Sequence, residues 1–267
     1  MATRIEHNPK AEKTLRKDAW WAQPLLTIAV LGGFMIYATF RTFENNYFLS
    51  EIHTSQLWAN GQIGHLLSPF YSPCIIVDRT IFGKNISPAI FILLFPLSFR
   101  LTCYYYRKAY YRSFFWTPPA CAVKGTENKK YTGEKEFPFY IQNLHRFTFY
   151  IASIFIVILS YDVYLSLKYY DGWGISVGTF VLFVNVLFLA GYTFGCHSCR
   201  HLCGGCLNSF STSGKNRFLH SLWKRVSFLN ERHALFAWLS LFSVALADLY
   251  VRLVTQGVIT DYVIARF

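Results

Sequence analysis

Four of the seven cysteines fall within eleven residues, Cys196-His197-Ser198-Cys199-Arg200-His201-Leu202-Cys203-Gly204-Gly205-Cys206. Thiolate and imidazole at this density are the ligands of a metal ion or an iron–sulfur centre. Spacing narrows the choice. Two C-x-x-C pairs separated by three residues are closer than the pairs of a zinc ribbon, whose long intervening chain lets two knuckles face one another. On a continuous helix, Cys196, Cys199 and Cys203 would share one face and could not surround an ion, so other segments must contribute. Gly204-Gly205 permits the break that a turn of ligands needs.

Cys199-Arg200-His201 has the C-x-H form of half a Rieske site, in which two cysteines hold one iron and two histidines the other. The second half is absent from this segment. His233 and His145 are placed to supply the missing imidazole, with His197 as an alternate and Cys203 and Cys206 as alternate thiolates. Cys74, Cys103 and Cys121 are scattered and read as packing residues. Zinc remains the non-redox alternative. Haem iron takes axial histidines, but none of the eight histidines lies in the middle of an apolar run. A haem b held near one membrane face by His145 and His233 stays open.

The elements that must position these ligands are membrane helices. Of the 267 residues 53% are hydrophobic, 19% aromatic and only 15% charged, against roughly 25% charged in soluble domains. A mean hydropathy of +0.27 excludes a disordered chain, a disulfide mini-scaffold and an ordinary soluble enzyme. The net charge of +12 fits basic loops against anionic lipid or partner subunits rather than nucleic acid, since no soluble basic domain of useful size is present. Spans need about 20 mostly apolar residues, which predicts five, at approximately 19–40, 86–106, 147–167, 174–196 and 234–255. The fold class is therefore an all-α membrane bundle, one domain over 1–267.

Basic residues set the expected orientation. Eighteen lie in the segment before the first span and the loops after the second and fourth, against four in the alternate segments. By the positive-inside rule the N-terminus is cytoplasmic. The Cys/His segment then faces the cytoplasm, where disulfides are disfavoured. Residues 41–85 form a long outer segment, and 107–146 a basic, aromatic cytoplasmic loop containing Phe114, Phe115 and Trp116. Asp248 and Arg252 are expected to pair at i, i+4 on the fifth helix, with Asp162 also toward the outer side. Arg100 is expected to snorkel to lipid phosphate.

The five spans, cytoplasmic N-terminus and Cys196-His197-x-Cys199-Arg200-His201 motif, with the later Leu229-Asn230-Glu231-Arg232-His233, resemble the single-chain membrane anchor of actinobacterial-type succinate dehydrogenases. The resemblance covers the whole chain. It implies a flavoprotein subunit and an iron–sulfur subunit docked on the inner loops, in a complex of one or several copies in the bacterial inner membrane. It also implies electron transfer to a quinone, menaquinone in this branch, through a membrane-embedded two-iron two-sulfur Rieske-type cluster in place of haem. The extra Cys203 and Cys206 depart from that pattern and leave a four-cysteine ligand set open. No flavin or nucleotide fingerprint, phosphate loop or hydrolytic triad is present, so the succinate site is expected on a partner. A quinone carbonyl needs a donor and its reduction needs protons, which points to an inner site around Trp20, Trp21, His145 and Arg146. A zinc-stabilised membrane protein without redox function is the reading from another class.

Overall fold

The computed structural model describes residues 16–50, 65–74, 80–81, 84–85, 87–123, 135, 139–169, 172–205, 207–211 and 213–267. Among the described residues, four helices are long and apolar enough to cross a bilayer: α1 (Ala22–Glu44), α4 (His145–Ser166), α5 (Val177–Phe194) and α8 (His233–Thr255). A fifth crossing exists if the pair α2 (Ala89–Thr102) and α3 (Tyr104–Ser113) counts as one span.

That pair corrects the expected second span. The apolar run does not continue to residue 106 as one helix. Cys103 takes an extended backbone (ψ 127°) and α3 leaves at 78° to α2. The sequence gives the reason. Apolar α2 ends where Tyr104-Tyr105-Tyr106-Arg107-Lys108 begins, a run whose charges favour the membrane surface, and Pro96 has already weakened the helix by removing a donor. With 14 residues α2 rises roughly 21 Å, short of the roughly 30 Å hydrocarbon core.

Between α1 and α2, the strands β1 (Leu49–Ser50) and β2 (Leu66–Leu67) pair antiparallel, as do β3 (Thr80–Ile81) and β4 (Lys84–Asn85). β5 (Lys168–Tyr169) and β6 (Gly172–Ser176) form a hairpin between α4 and α5, and β7 (Val263–Arg266) adds to its other edge with Ile175 opposite Ala265. β1, β2, β5 and β6 lie against α4, α5 and α8 at one end of the bundle, with β7 beside β6. The opposite end gathers the start of α1, the bend after α2, the start of α4 and the segment between α5 and α8. The latter contains α6 (His197–Arg200), a π-turn (His201–Gly205) and the amphipathic α7 (Gly214–Glu231). Ser176 caps α5 by accepting from Thr179 N at 3.1 Å, and Ser213 caps α7 by accepting from Asn216 N at 3.2 Å. Both satisfy a donor that the first turn leaves unpaired.

α5 lies between α4 and α8. Two glycines allow close approach: a Cβ on Gly178 would sit 2.3 Å from Leu66, and one on Gly191 2.5 Å from Phe236. α1 is different. It buries only Pro24 and Arg41 and turns Leu26, Met35 and Ile36 outward, so its hold is a buried polar anchor plus the partly buried Leu31, Phe34 and Tyr37.

That anchor corrects the expected Asp248–Arg252 pair. Asp248 accepts from Arg41 Nε at 2.8 Å and from Tyr37 OH at 2.5 Å, and also from Ser68 Oγ. Arg252 instead donates to Glu44 at 2.8 Å, and Glu44 also pairs with Arg41. The segment 65–74 plugs the same end: Tyr71 OH donates to the Arg41 carbonyl at 2.6 Å, and Ser72 Oγ to Asp162 at 2.5 Å. An i, i+4 pair on α8 would face lipid on at least one side. Pairing across helices lets both Asp248 and Arg41 be fully buried.

Removing one partner of a buried pair costs about 3–5 kcal/mol, whereas a partly exposed pair contributes about 0–1 kcal/mol. Asp248→Ala should therefore lower the Tm of the purified protein far more than Arg252→Gln. Equal shifts would mean that Arg252, not Arg41, is the main partner of Asp248.

Candidate metal centre

The helix ends opposite the strands converge on sulfur and imidazole. Cys103, at the bend, and Cys196 and Cys199, after α5, are buried in one packed cluster with Phe99, Tyr106, Phe149, Tyr192, Val226 and Ala237, and Cys203 lies against it. Cys103 Sγ is 3.4 Å from His233 Nε2. Cys196 caps α6, its Sγ accepting from Cys199 N at 3.3 Å.

The two histidines at the starts of α4 and α8 face into this cluster. His145 is buried and stacks on Phe99 (centroids 4.7 Å apart, planes 8° apart) while its Nδ1 lies 3.0 Å from Thr102 Oγ1. His233 stacks on Tyr192 at 4.9 Å and 16°, and Tyr192 meets Phe99 edge-on at 5.4 Å. Phe99 and Tyr192 thus join the two imidazoles in one array of packed rings. His233 Nδ1 is buried with no hydrogen-bond partner.

Arg100 does not snorkel to lipid. Its guanidinium turns into the bundle, donating to Tyr106 OH, to Ser240 Oγ at 3.0 Å and to the Ala237 carbonyl at 3.4 Å, and lies 4.9 Å from the centre of the Tyr192 ring. These acceptors are neutral. A cation is thereby fixed one aromatic ring away from His233. The chain supplies enough acceptors there to make burial cheaper than a long reach to the surface.

The residues expected at the site are thus partly reunited. Cys196, Cys199, Cys203 and His233 come together. His197 and His201 lie exposed, His201 at the start of the π-turn, where Gly205 is pressed against its ring so closely that a Cβ would come 2.4 Å from Nδ1. Cys206 lies outside the described residues. Among the described residues, no three His, Cys, Asp or Glu side chains converge tightly enough to hold a single ion. The expected quinone residues are divided. Trp20 packs edge-on against Trp116 at 5.8 Å, Trp21 and Arg146 are exposed, and His145 is inside the cluster.

Cys103 was the residue that sequence reasoning set aside as packing. A signal for it existed: it sits at the junction of an apolar run and a basic one, the same depth that Cys196 occupies. α7 closes the site from below. Arg200 Nε donates to Ser227 Oγ at 2.9 Å and its guanidinium lies 4.5 Å over Trp223, while Asn230 Nδ2 donates to the Gly195 carbonyl at 2.8 Å.

Burial pushes the Cys199 thiol up to about 12, with Cys203 and Cys196 beside it adding to the shift.

A family model described as actinobacterial succinate dehydrogenase subunit SdhC matches residues 22–257. No curated protein matches. A chain of the solved Mycobacterium smegmatis Sdh1 complex in the apo form is similar at 40% identity and a TM-score of 0.83, covering 100% of this chain and 97% of that one.

Cys199 is buried, so it should resist alkylation, which requires access to the sulfur. In native membranes at pH 8, a maleimide is expected to label exposed Cys121 and spare Cys199, read by peptide mass spectrometry. Labelling of both at equal rates would contradict the buried placement.

Proposed function

Because the chain belongs to the family of actinobacterial succinate dehydrogenase subunit SdhC, we propose that this multi-pass membrane anchor carries electrons from soluble flavoprotein and iron–sulfur subunits to a quinone, menaquinone in the reading the family suggests. The observation that carries the electron-transfer step is the buried set of cysteines and two histidines at one end of the bundle.

That donor set fits a Rieske-type two-iron two-sulfur cluster better than a mononuclear ion. A zinc site needs three or four ligands around one point, whereas a Rieske centre takes two cysteines on one iron and two histidines on the other. Cys103, Cys196 and Cys199 offer the thiolates, and His145 and His233 the imidazoles, one of them with a buried nitrogen lacking a partner. His145 thereby takes the place first expected of His201. Such a cluster, when bound, supplies one-electron transfer at a potential of about −150 to +300 mV, well above the roughly −400 mV of an all-cysteine plant-type cluster. Arg100 keeps a positive charge beside the donors and favours the more negative, reduced state of what they hold. Phe99, Tyr192 and Tyr106 exclude water from the site, which lowers the local dielectric and strengthens that effect.

The cluster end is the cytoplasmic end in this reading, with five spans and the N-terminus inside. It is supported by the bias of eighteen basic residues against four in the sequence, the described parts of those three basic segments lying at this end. The half-exposed aromatic tract Phe114-Phe115-Trp116 after α3 and the exposed Phe218 and Phe228 of α7 offer the soluble subunits a docking surface. Quinone binds near the same end, with His145 and Arg146 of α4 as the candidate contacts.

Purification through a C-terminal tag should recover the soluble subunits and succinate:quinone reductase activity. Phe114→Ala with Phe115→Ala should weaken recovery at least tenfold. Isolation of this chain alone under native conditions would end the anchor reading. A reporter active only outside the cytoplasm, fused at residue 125, should stay silent; activity there would reverse the orientation. Quinone-reductase kinetics unchanged in His145→Ala/Arg146→Ala would remove the inner quinone assignment.

A further inference from the structure

A second site lies on the opposite flank of the bundle end, between α1, α3 and α8. There α1, packed mainly against α3 and only lightly against α8, leaves a cleft of about 430 Å³, within the range of ligand pockets. Its wall is apolar where it faces the bilayer, formed by Leu26, Val30, Trp238 and Phe242 among others. Lys108 and Arg112 line it from α3, four residues apart and so on one face of that helix. Among the described residues, no carboxylate lines the cleft. Asp18, on the segment leading into α1, is already paired with Arg16.

We propose that this cleft is a binding site for an anionic phospholipid, with the phosphate between Lys108 and Arg112 and an acyl chain along Leu26, Val30 and Phe242. Three features select this occupant. Because α3 turns 78° from α2, its cations lie at the end of the spans, where lipid headgroups sit, and not within the hydrocarbon. Among the described residues the two cations meet no acidic side chain in the cleft, so an anion from outside balances them. The cleft is polar at one end and apolar at the other, the polarity of a lipid. A neutral quinone head would leave both cations uncompensated, and Trp238 Nε1 is already used in donating to Tyr105 OH at 2.7 Å. The proposal does not depend on a metal centre in this chain.

Native mass spectrometry of the detergent-purified complex, stripped of lipid and titrated with phosphatidylglycerol or phosphatidylcholine, tests it. Retention of phosphatidylglycerol over phosphatidylcholine should be tenfold or more, as expected for two interfacial cations. Lys108→Gln/Arg112→Gln should abolish the preference, and Lys108→Arg/Arg112→Lys, which keeps both charges, should restore it. Recovery of the intact complex from each variant, with unaltered Tm, separates loss of the site from loss of the fold. Equal retention of the two lipids by the wild type overturns the proposal. So does a preference that survives the double glutamine variant, or a quinone found bound in the cleft in place of lipid. If the glutamine variant fails to assemble, Phe242→Trp, which fills the apolar end, should reduce lipid retention; undiminished retention in that variant overturns the proposal equally.

Discussion

The pairing of Arg41 with Asp248 is the interaction on which the arrangement of this bundle rests. Charges within a bilayer are tolerated only when they meet inside the protein, and these two side chains are both fully buried. Since α1 buries little else, the pair decides where α1 stands. It also draws in the loop: Ser68 completes Asp248, Tyr71 reaches the Arg41 carbonyl, and Ser72 satisfies Asp162 on α4. One charged knot thus orders four segments at the strand-capped end. It leaves the other end of α1 free to stand off from α8.

At that other end a second constraint operates. The polar run after Thr102 cannot follow α2 through the bilayer, so the chain breaks at Cys103 and turns along the bundle end. The turn delivers a thiol to His233, puts Arg100 beneath Tyr192 and places Thr102 against His145. The donors are therefore gathered from four different helix ends, and none is set by a local motif alone. The same bend points α3 and its cations outward, which is why the donor cluster and the basic cleft lie back to back.

The spans were legible because a bilayer imposes length and apolarity on any helix that crosses it, and α1, α4, α5 and α8 meet that demand without interruption. The break in the second span was not, because apolarity alone does not report the angle at which a helix leaves the membrane. Partners of buried charges were equally hidden. Asp248 and Arg252 share a helix face in sequence, but the loop between α1 and α2 decides that Asp248 meets Arg41, 207 residues away. In the candidate site, the dense Cys196–Cys206 segment suggests thiolate chemistry, and the structure brings His233 to the same end of the bundle as Cys196 and Cys199, against Cys103. His145, the other imidazole expected from the sequence, is buried against Phe99, whereas Cys103 enters through tertiary packing that spacing cannot encode. His201 matched a motif on paper and lies on the exposed side of its turn.

The central claim is that these helix ends hold a redox centre with two histidine ligands. Electron paramagnetic resonance of the dithionite-reduced, purified complex tests it most directly, alongside iron and acid-labile sulfide analysis. The account predicts a rhombic signal of low average g value, additional to those of the soluble subunits. It should be lost in His145→Ala, His233→Ala and Cys196→Ser, and kept in His201→Ala. A complex whose only iron–sulfur signals belong to the soluble subunits, with one zinc per anchor chain, would contradict it.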